Sequence, residues 1–206
     1  MFFWICFVLA FLPLVLIFPV KLIGRKNLKK QKGAVLAINH YSNLDAVLLD
    51  IKLKRKIYFL AKSELFEKKS SAFFLKKFGA IKINRGQADP TAIKESLRVL
   101  KKGKILGIFP EGTRNKTDSD SLQEVHNGAV IIAARAGVPI IPAIIYRRPR
   151  AFKKNIIAIG EPFMVESQIP KKPTPEEIEA SVNKLVNQME GLRSKLDLKL
   201  NKKLHS

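Results

Sequence analysis

Residues 33–51 read GAVLAINHYSNLDAVLLDI, and the change of rhythm inside this stretch decides the fold. The run 33–39 is short, apolar and partly β-branched, which reads as a buried strand. Ser42 or Asn43 then offers an N-cap, and a helix containing residues 46–51 follows. A strand that passes through a polar turn directly into a helix is the opening of an α/β layer structure.

The same alternation extends outward from this stretch. Residues 56–60, 79–84, 105–109, 139–145 and 155–159 read as further strands. Asp89-Pro90 is an N-cap followed by proline at the first helical position, Ile93, Leu97 and Leu100 share a face, and Gly103 supplies the stop. Residues 174–177 (TPEE) form a capping box. Behind it Ile178, Val182, Leu185, Val186, Met189, Leu192 and Leu196 keep a helical rhythm, a stripe expected to pack on the sheet rather than on a membrane. The expected fold is α/β: a mixed β-sheet flanked by helices, with ligands beyond the strand ends.

The 206 residues carry 38 Lys+Arg against 17 Asp+Glu, a net charge of +21, yet 47% are apolar, which excludes a disordered polyelectrolyte. One cysteine, Cys6, excludes an intrachain disulfide framework and a Cys-based zinc site, so no metal is expected and the compartment is reducing or indifferent to redox. Charge is unevenly spread. Residues 2–20 carry none and would span about 30 Å as a helix, the thickness of a bilayer core. With no basic stretch ahead of it and no small-x-small cleavage pattern behind it, this segment reads as a retained N-terminal hydrophobic membrane-anchor helix (1–20) rather than a signal peptide. Pro13 and Pro19 keep a re-entrant or interfacial segment open beside a straight span. Lys21, Arg25, Lys26, Lys29, Lys30 and Lys32 follow without an acid, which places residues 21–206 on the cytoplasmic face. Basic clusters at 52–56 and 147–154 add to this character.

Two strand-end segments carry chemistry. His40 and Asp45 are five apart, roughly 140° on an ideal helix, so they meet only across a turn. With His40 in the loop and Asp45 in the first helical turn, the carboxylate can fold back on one imidazole nitrogen and leave the other to accept a proton as a general base. The second segment is 108–114, IFPEGTR, where Pro110 and Gly112 frame a rigid loop and Gly112 permits close backbone approach. Arg114 there offers a planar fork suited to phosphate.

In these motifs the sequence resembles the glycerolipid acyltransferase family, typified by 1-acylglycerol-3-phosphate (lysophosphatidic acid) acyltransferases. Residues 39–45 match its His-x4-Asp motif and 109–114 its Glu-Gly-Thr-Arg motif. The segment 79–85, GAIKINR, matches the intermediate motif ending in Arg85, and 138–142, VPIIP, the final proline-containing strand. Asn84 stands where the family usually has Asp. The resemblance implies an acyltransferase: a fatty acyl group passes from a thioester, acyl-CoA or acyl carrier protein, to the sn-2 hydroxyl of lysophosphatidic acid, giving phosphatidic acid. It implies His40 and Asp45 as the catalytic pair, and Arg85, Glu111, Gly112, Thr113 and Arg114 around the acceptor. The arginines take phosphate, Glu111 and Thr113 the glycerol portion, and Lys82 is a lesser candidate. No cofactor is expected beyond the acyl donor. Backbone N–H groups of the helix after His40 could serve as donors to the oxyanion, whose site the sequence does not locate. Membrane lipids are expected partners. Another acceptor, glycerol 3-phosphate or a different lysolipid, stays open. So does a non-enzymatic basic tether for anionic lipid or nucleic acid, although no nucleic-acid-binding motif is present and no nucleic acid is expected.

Overall fold

The computed structural model describes residues 13–14, 16–53, 55–84, 89–117, 121–165 and 173–204. Its strands are β1 (Val20–Ile23), β2 (Ala34–Ile38), β3 (Ile57–Lys62), β4 (Ile81–Ile83), β5 (Ile105–Ile108), β6 (Ile140–Ile145) and β7 (Asn155–Ile159). They form one seven-stranded sheet in the order β1-β7-β6-β2-β5-β3-β4. All neighbours are parallel except β6 and β7, so the sheet is mixed, as expected. The helices are α1 (Arg25–Lys29), α2 (Leu44–Leu53), α3 (Lys69–Lys77), α4 (Pro90–Lys101), α5 (Gly128–Ala136) and α6 (Pro175–Leu204), with a 3-10 turn at Ser63–Phe66.

The central strand explains the layering. All five residues of β2 are buried, which is why it reads as a continuous apolar run. Val35 and Ala37 face a layer built by α4, α5 and α6, through Val99, Val130, Leu185 and Met189 among others. Ala34, Leu36 and Ile38 face the opposite layer, where Leu28 of α1 and Leu49 and Leu53 of α2 pack. Each fully buried Leu or Ile there contributes roughly 2 kcal/mol.

Both expected helix starts are present. Asp89 Oδ1 accepts the Ala92 N–H at 2.9 Å, and its other oxygen accepts that of Asn84 at 2.9 Å. Thr174 Oγ1 accepts from the Glu177 N–H at 3.2 Å while the Glu177 carboxylate accepts from the Thr174 N–H at 2.8 Å. The α6 stripe packs on the sheet, with Leu185, Met189 and Leu196 buried. In α4 the buried residues are Ala92, Ser96, Val99 and Leu100, so the face turns from Ile93 and Leu97 toward the small side chains. Ser96 is satisfied there by donating to the Ala92 carbonyl at 2.7 Å.

β1 was not among the expected strands. Val20, the last residue of the expected anchor, is its first residue and pairs with Asn155. The rest of the expected N-terminal membrane anchor falls mostly on residues 1–12 and 15, outside the described residues. Among the described residues no helix is long and apolar enough to cross a membrane.

Strand direction gathers the functional loops. β2 to β6 all run one way, so their C-terminal ends share one edge of the sheet. β7 runs against β6, and β1 runs with β7, so the chain also enters β1 at that edge.

Candidate active site

At this edge Asn39 extends β2 by one step. Its side chain donates to the Ile145 carbonyl at 3.1 Å and accepts from the Ile145 N–H at 2.7 Å, fixing where the chain leaves the sheet. His40 follows. Its Nδ1 lies 2.9 Å from Asp45 Oδ2, and the same oxygen accepts the Tyr41 N–H at 2.7 Å and the Ser42 N–H at 2.8 Å. An oxygen that already accepts two N–H groups takes a third donor, so Nδ1 is a donor to it, and in the neutral ring that leaves the lone pair on Nε2. Asp45 is fully buried and His40 is 9% exposed. Ser42 acts as a local cap, its Oγ accepting from the Leu44 N–H at 3.2 Å and its carbonyl from the Asp45 N–H at 3.0 Å.

The Tyr41 and Ser42 N–H groups are thus committed to Asp45, and those of Leu44 and Asp45 to Ser42. The start of the helix after His40 was a candidate source of oxyanion donors, and these four groups are engaged elsewhere.

The imidazole has a second restraint. Its ring stacks on Phe109 with centroids 3.8 Å apart and planes at 16°, and Phe109 stacks on Phe59 at 5.3 Å and 13°. Gly107 makes room for this column: a Cβ there would lie 2.2 Å from the Phe59 ring. The column was not expected from the sequence, because Phe59 and Phe109 lie fifty positions apart and read as ordinary strand residues.

The second loop wraps around the first. The Asn115 N–H donates to the His40 carbonyl at 2.7 Å, and Arg114 Nη1 donates to Asn43 Oδ1 at 3.3 Å, so His40 and Arg114 belong to adjoining loops. Gly112 turns at φ +67°, where an added Cβ would press on His126 at 3.2 Å. Thr113 is exposed and donates to Gln123 at 3.3 Å. Glu111 points inward and is 4% exposed. Burial pushes its carboxyl up to about 7, while the His40 backbone N–H and the Arg193 guanidinium pull the other way and Asp45 adds a smaller upward push. Arg85 lies outside the described residues, and Lys82 is exposed on β4. Among the described residues no cluster of His, Cys, Asp and Glu is arranged to hold a metal ion.

Arg193 is a site neighbour the sequence reading passed over. From α6 it donates to the Tyr146 carbonyl at 3.1 Å and to the Tyr41 hydroxyl at 3.5 Å, behind Glu111. A signal existed, since Arg193 interrupts the apolar stripe four positions after Met189.

Fold and pair together define a class: an α/β protein with a hydrogen-bonded His–Asp pair where β2 turns into α2, at the C-terminal edge of parallel strands. The family model described as Acyltransferase matches residues 19–146, and the chain belongs to that family. It is 35% identical over 185 residues to the 1-acyl-sn-glycerol-3-phosphate acyltransferase of Bacillus subtilis (strain 168), covering 86% of this chain and 90% of that one. A protein of the same name from Borreliella burgdorferi is 29% identical over 136 residues, 65% of this chain and 54% of that one. The crystal structure of the 1-acyl-sn-glycerophosphate (LPA) acyltransferase PlsC from Thermotoga maritima shares the fold, with a TM-score of 0.64 at 23% identity, covering 85% of this chain and 71% of that one.

Two outcomes follow from the geometry. Gly107→Ala pushes Phe59 against the column under His40, so acyltransferase kcat falls roughly ten- to a hundredfold with little change in acceptor KM, and adding Phe59→Leu recovers most of the loss. Unchanged kcat, or no recovery in the double variant, contradicts the column's role. For Glu111 the fold favours the neutral acid, so its contribution is complete below its ordinary value of 4.5 and is lost as pH rises through about 7. Urea unfolding of Glu111→Gln between about pH 4 and 8 therefore shows a shallower fall in stability than wild type. An identical pH profile contradicts the placement.

Proposed function

We propose that the chain transfers a fatty acyl group from an acyl thioester to the sn-2 hydroxyl of 1-acylglycerol-3-phosphate, forming phosphatidic acid. The observation that carries this reading is the junction of the two motif loops. The His40–Asp45 dyad and Arg114 meet across the Arg114–Asn43 hydrogen bond, in a chain whose relatives over most of its length bear that activity in their names. The donor is acyl-CoA or acyl carrier protein.

His40 Nε2 removes the proton from the sn-2 hydroxyl as the oxygen attacks the thioester carbonyl. The C–O bond forms, the C–S bond breaks, and the imidazolium returns the proton to the departing thiolate. Asp45 holds the tautomer this requires and stabilises the imidazolium between the two transfers. The acyl group moves directly to the acceptor, a route consistent with the engagement of the neighbouring Ser42 hydroxyl as a cap. Arg114, aided by Arg85, binds the acceptor's phosphate, with Gly112 and Thr113 beside it. Buried Glu111 lies against the His40 backbone N–H.

The apolar run ahead of β1, within residues 1–19, anchors the chain in the membrane, and the part from β1 onward forms the catalytic domain on its cytoplasmic face. The uncharged run 2–20 and the cations after it support this reading, as does the entry of the chain into β1 at the edge that bears His40. Acceptor and acyl tail both partition into lipid, so an anchored site meets them at high effective concentration.

In detergent, with lysophosphatidic acid and a thioester donor, His40→Ala is expected to lower kcat roughly 10²- to 10⁴-fold. Arg114→Ala is expected to lower kcat/KM for the acceptor about ten- to a hundredfold, largely through KM. A near-wild-type rate for the first variant removes the general base, and an unchanged acceptor KM for the second removes the phosphate assignment.

A further inference from the structure

The loop 147–154, RRPRAFKK, joins β6 to β7 at the His40 edge and holds five cations and no acid. Phe152 at its tip is 78% exposed. It is also the one non-glycine residue among the described residues with a left-handed backbone, at φ 57°, a conformation that residues bearing a Cβ seldom adopt. A bulky aromatic is therefore held in water and in backbone strain at the same position. Strain of this kind persists only where the surroundings impose it.

The surroundings are built to do so. Asn155 is buried, and its side chain accepts from the Arg150 N–H at 2.9 Å while donating to the Arg150 and Lys153 carbonyls at 3.1 and 2.9 Å. The Phe152 N–H donates to the Ile17 carbonyl at 2.6 Å, which ties the tip to the end of the apolar N-terminal run. Leu16, beside that acceptor, is 70% exposed. At the base of the loop Arg148 donates to the Asn115 carbonyl at 2.8 Å, and Asn115 in turn bonds the His40 carbonyl. Hydrogen bonds at both ends of the loop thus connect it to the N-terminal run and to the His40 backbone.

We infer that the 147–154 loop is a second membrane contact, a wedge that seats Phe152 among the acyl chains of an anionic bilayer while its cations meet the headgroups, so that the sheet edge bearing His40 lies at lipid level. Charge and continuity favour a lipid surface over other occupants. A cationic collar around one exposed aromatic matches an anionic interface, and the loop is bonded to the segment already proposed to enter it. The inference rests on the membrane reading above and adds a site that the N-terminal run does not supply.

The test uses the full chain carrying Trp4→Phe and Phe152→Trp, so that a single indole reports from the tip, in vesicles of phosphatidylcholine with and without phosphatidylglycerol. Brominated acyl chains are expected to quench the indole, more strongly with phosphatidylglycerol present. Vesicle-bound protein with an unquenched indole overturns the wedge while leaving the N-terminal anchor standing, and a blue-shifted emission before vesicles are added overturns it by showing the tip covered by protein. Phe152→Gly relieves the backbone strain, so its melting temperature should equal or exceed that of wild type. Its ratio of vesicle rate to detergent rate should fall about tenfold. An unchanged ratio overturns the wedge. Absence of transferase activity in wild type would overturn the proposed reaction instead, and the quenching still decides the wedge.

Discussion

The arrangement depends on one buried carboxylate. Asp45 is fully buried, and burying a carboxylate costs several kcal/mol unless hydrogen bonds replace its water. Oδ2 collects three N–H donors, from the backbone of Tyr41 and Ser42 and from the His40 ring, all within a six-residue span. That demand bends the chain back on itself between β2 and α2. It also sets the imidazole tautomer, so the conformation of the loop and the chemistry of the ring follow from the same set of bonds. Other contacts act on the same residue. Asn39 locks the exit from the sheet, Phe109 covers one face of the ring, and Asn115 holds the His40 carbonyl.

Sheet topology explains why these restraints coincide in space. Parallel strands deliver successive loops to one edge, and β2 sits between β5 and β6, so its loop is flanked by the EGTR loop on one side and the 147–154 loop on the other. The antiparallel turn from β6 to β7 then sends β1 back to the same edge. The His40–Asp45 pair, the cationic loop and the entry into β1 therefore share one side of the molecule, an arrangement suited to the proposed reaction at a membrane surface.

Local signals carried much of this in the sequence. The His40–Asp45 turn, the Asp89 cap, the TPEE box and the apolar strands depend on residues close in the chain, and each stands where its pattern put it. What escaped is non-local. β1 is a four-residue edge strand containing Lys21, and only pairing with β7, more than a hundred residues away, distinguishes it from the flank of an apolar segment. The aromatic column needs Gly107, Phe59 and Phe109 brought together across β3 and β5. Arg193 was visible as a break in a stripe, but what it faces depends on how α6 lies on the sheet. Glu111 stood in a recognisable motif, yet its burial depends on how the loop packs on its neighbours rather than on composition.

The orientation of His40 by Asp45 is most directly tested by nitrogen-15 NMR of the full-length, histidine-labelled protein near neutral pH, with the His40 signals assigned by comparison with His40→Ala. A proton on Nδ1 and a bare Nε2, exchanged for the opposite tautomer in Asp45→Asn, is the result expected of a base aligned by this carboxylate. A wild-type imidazole protonated on Nε2 alone would contradict it, because the nitrogen assigned to receive the substrate proton would already hold one.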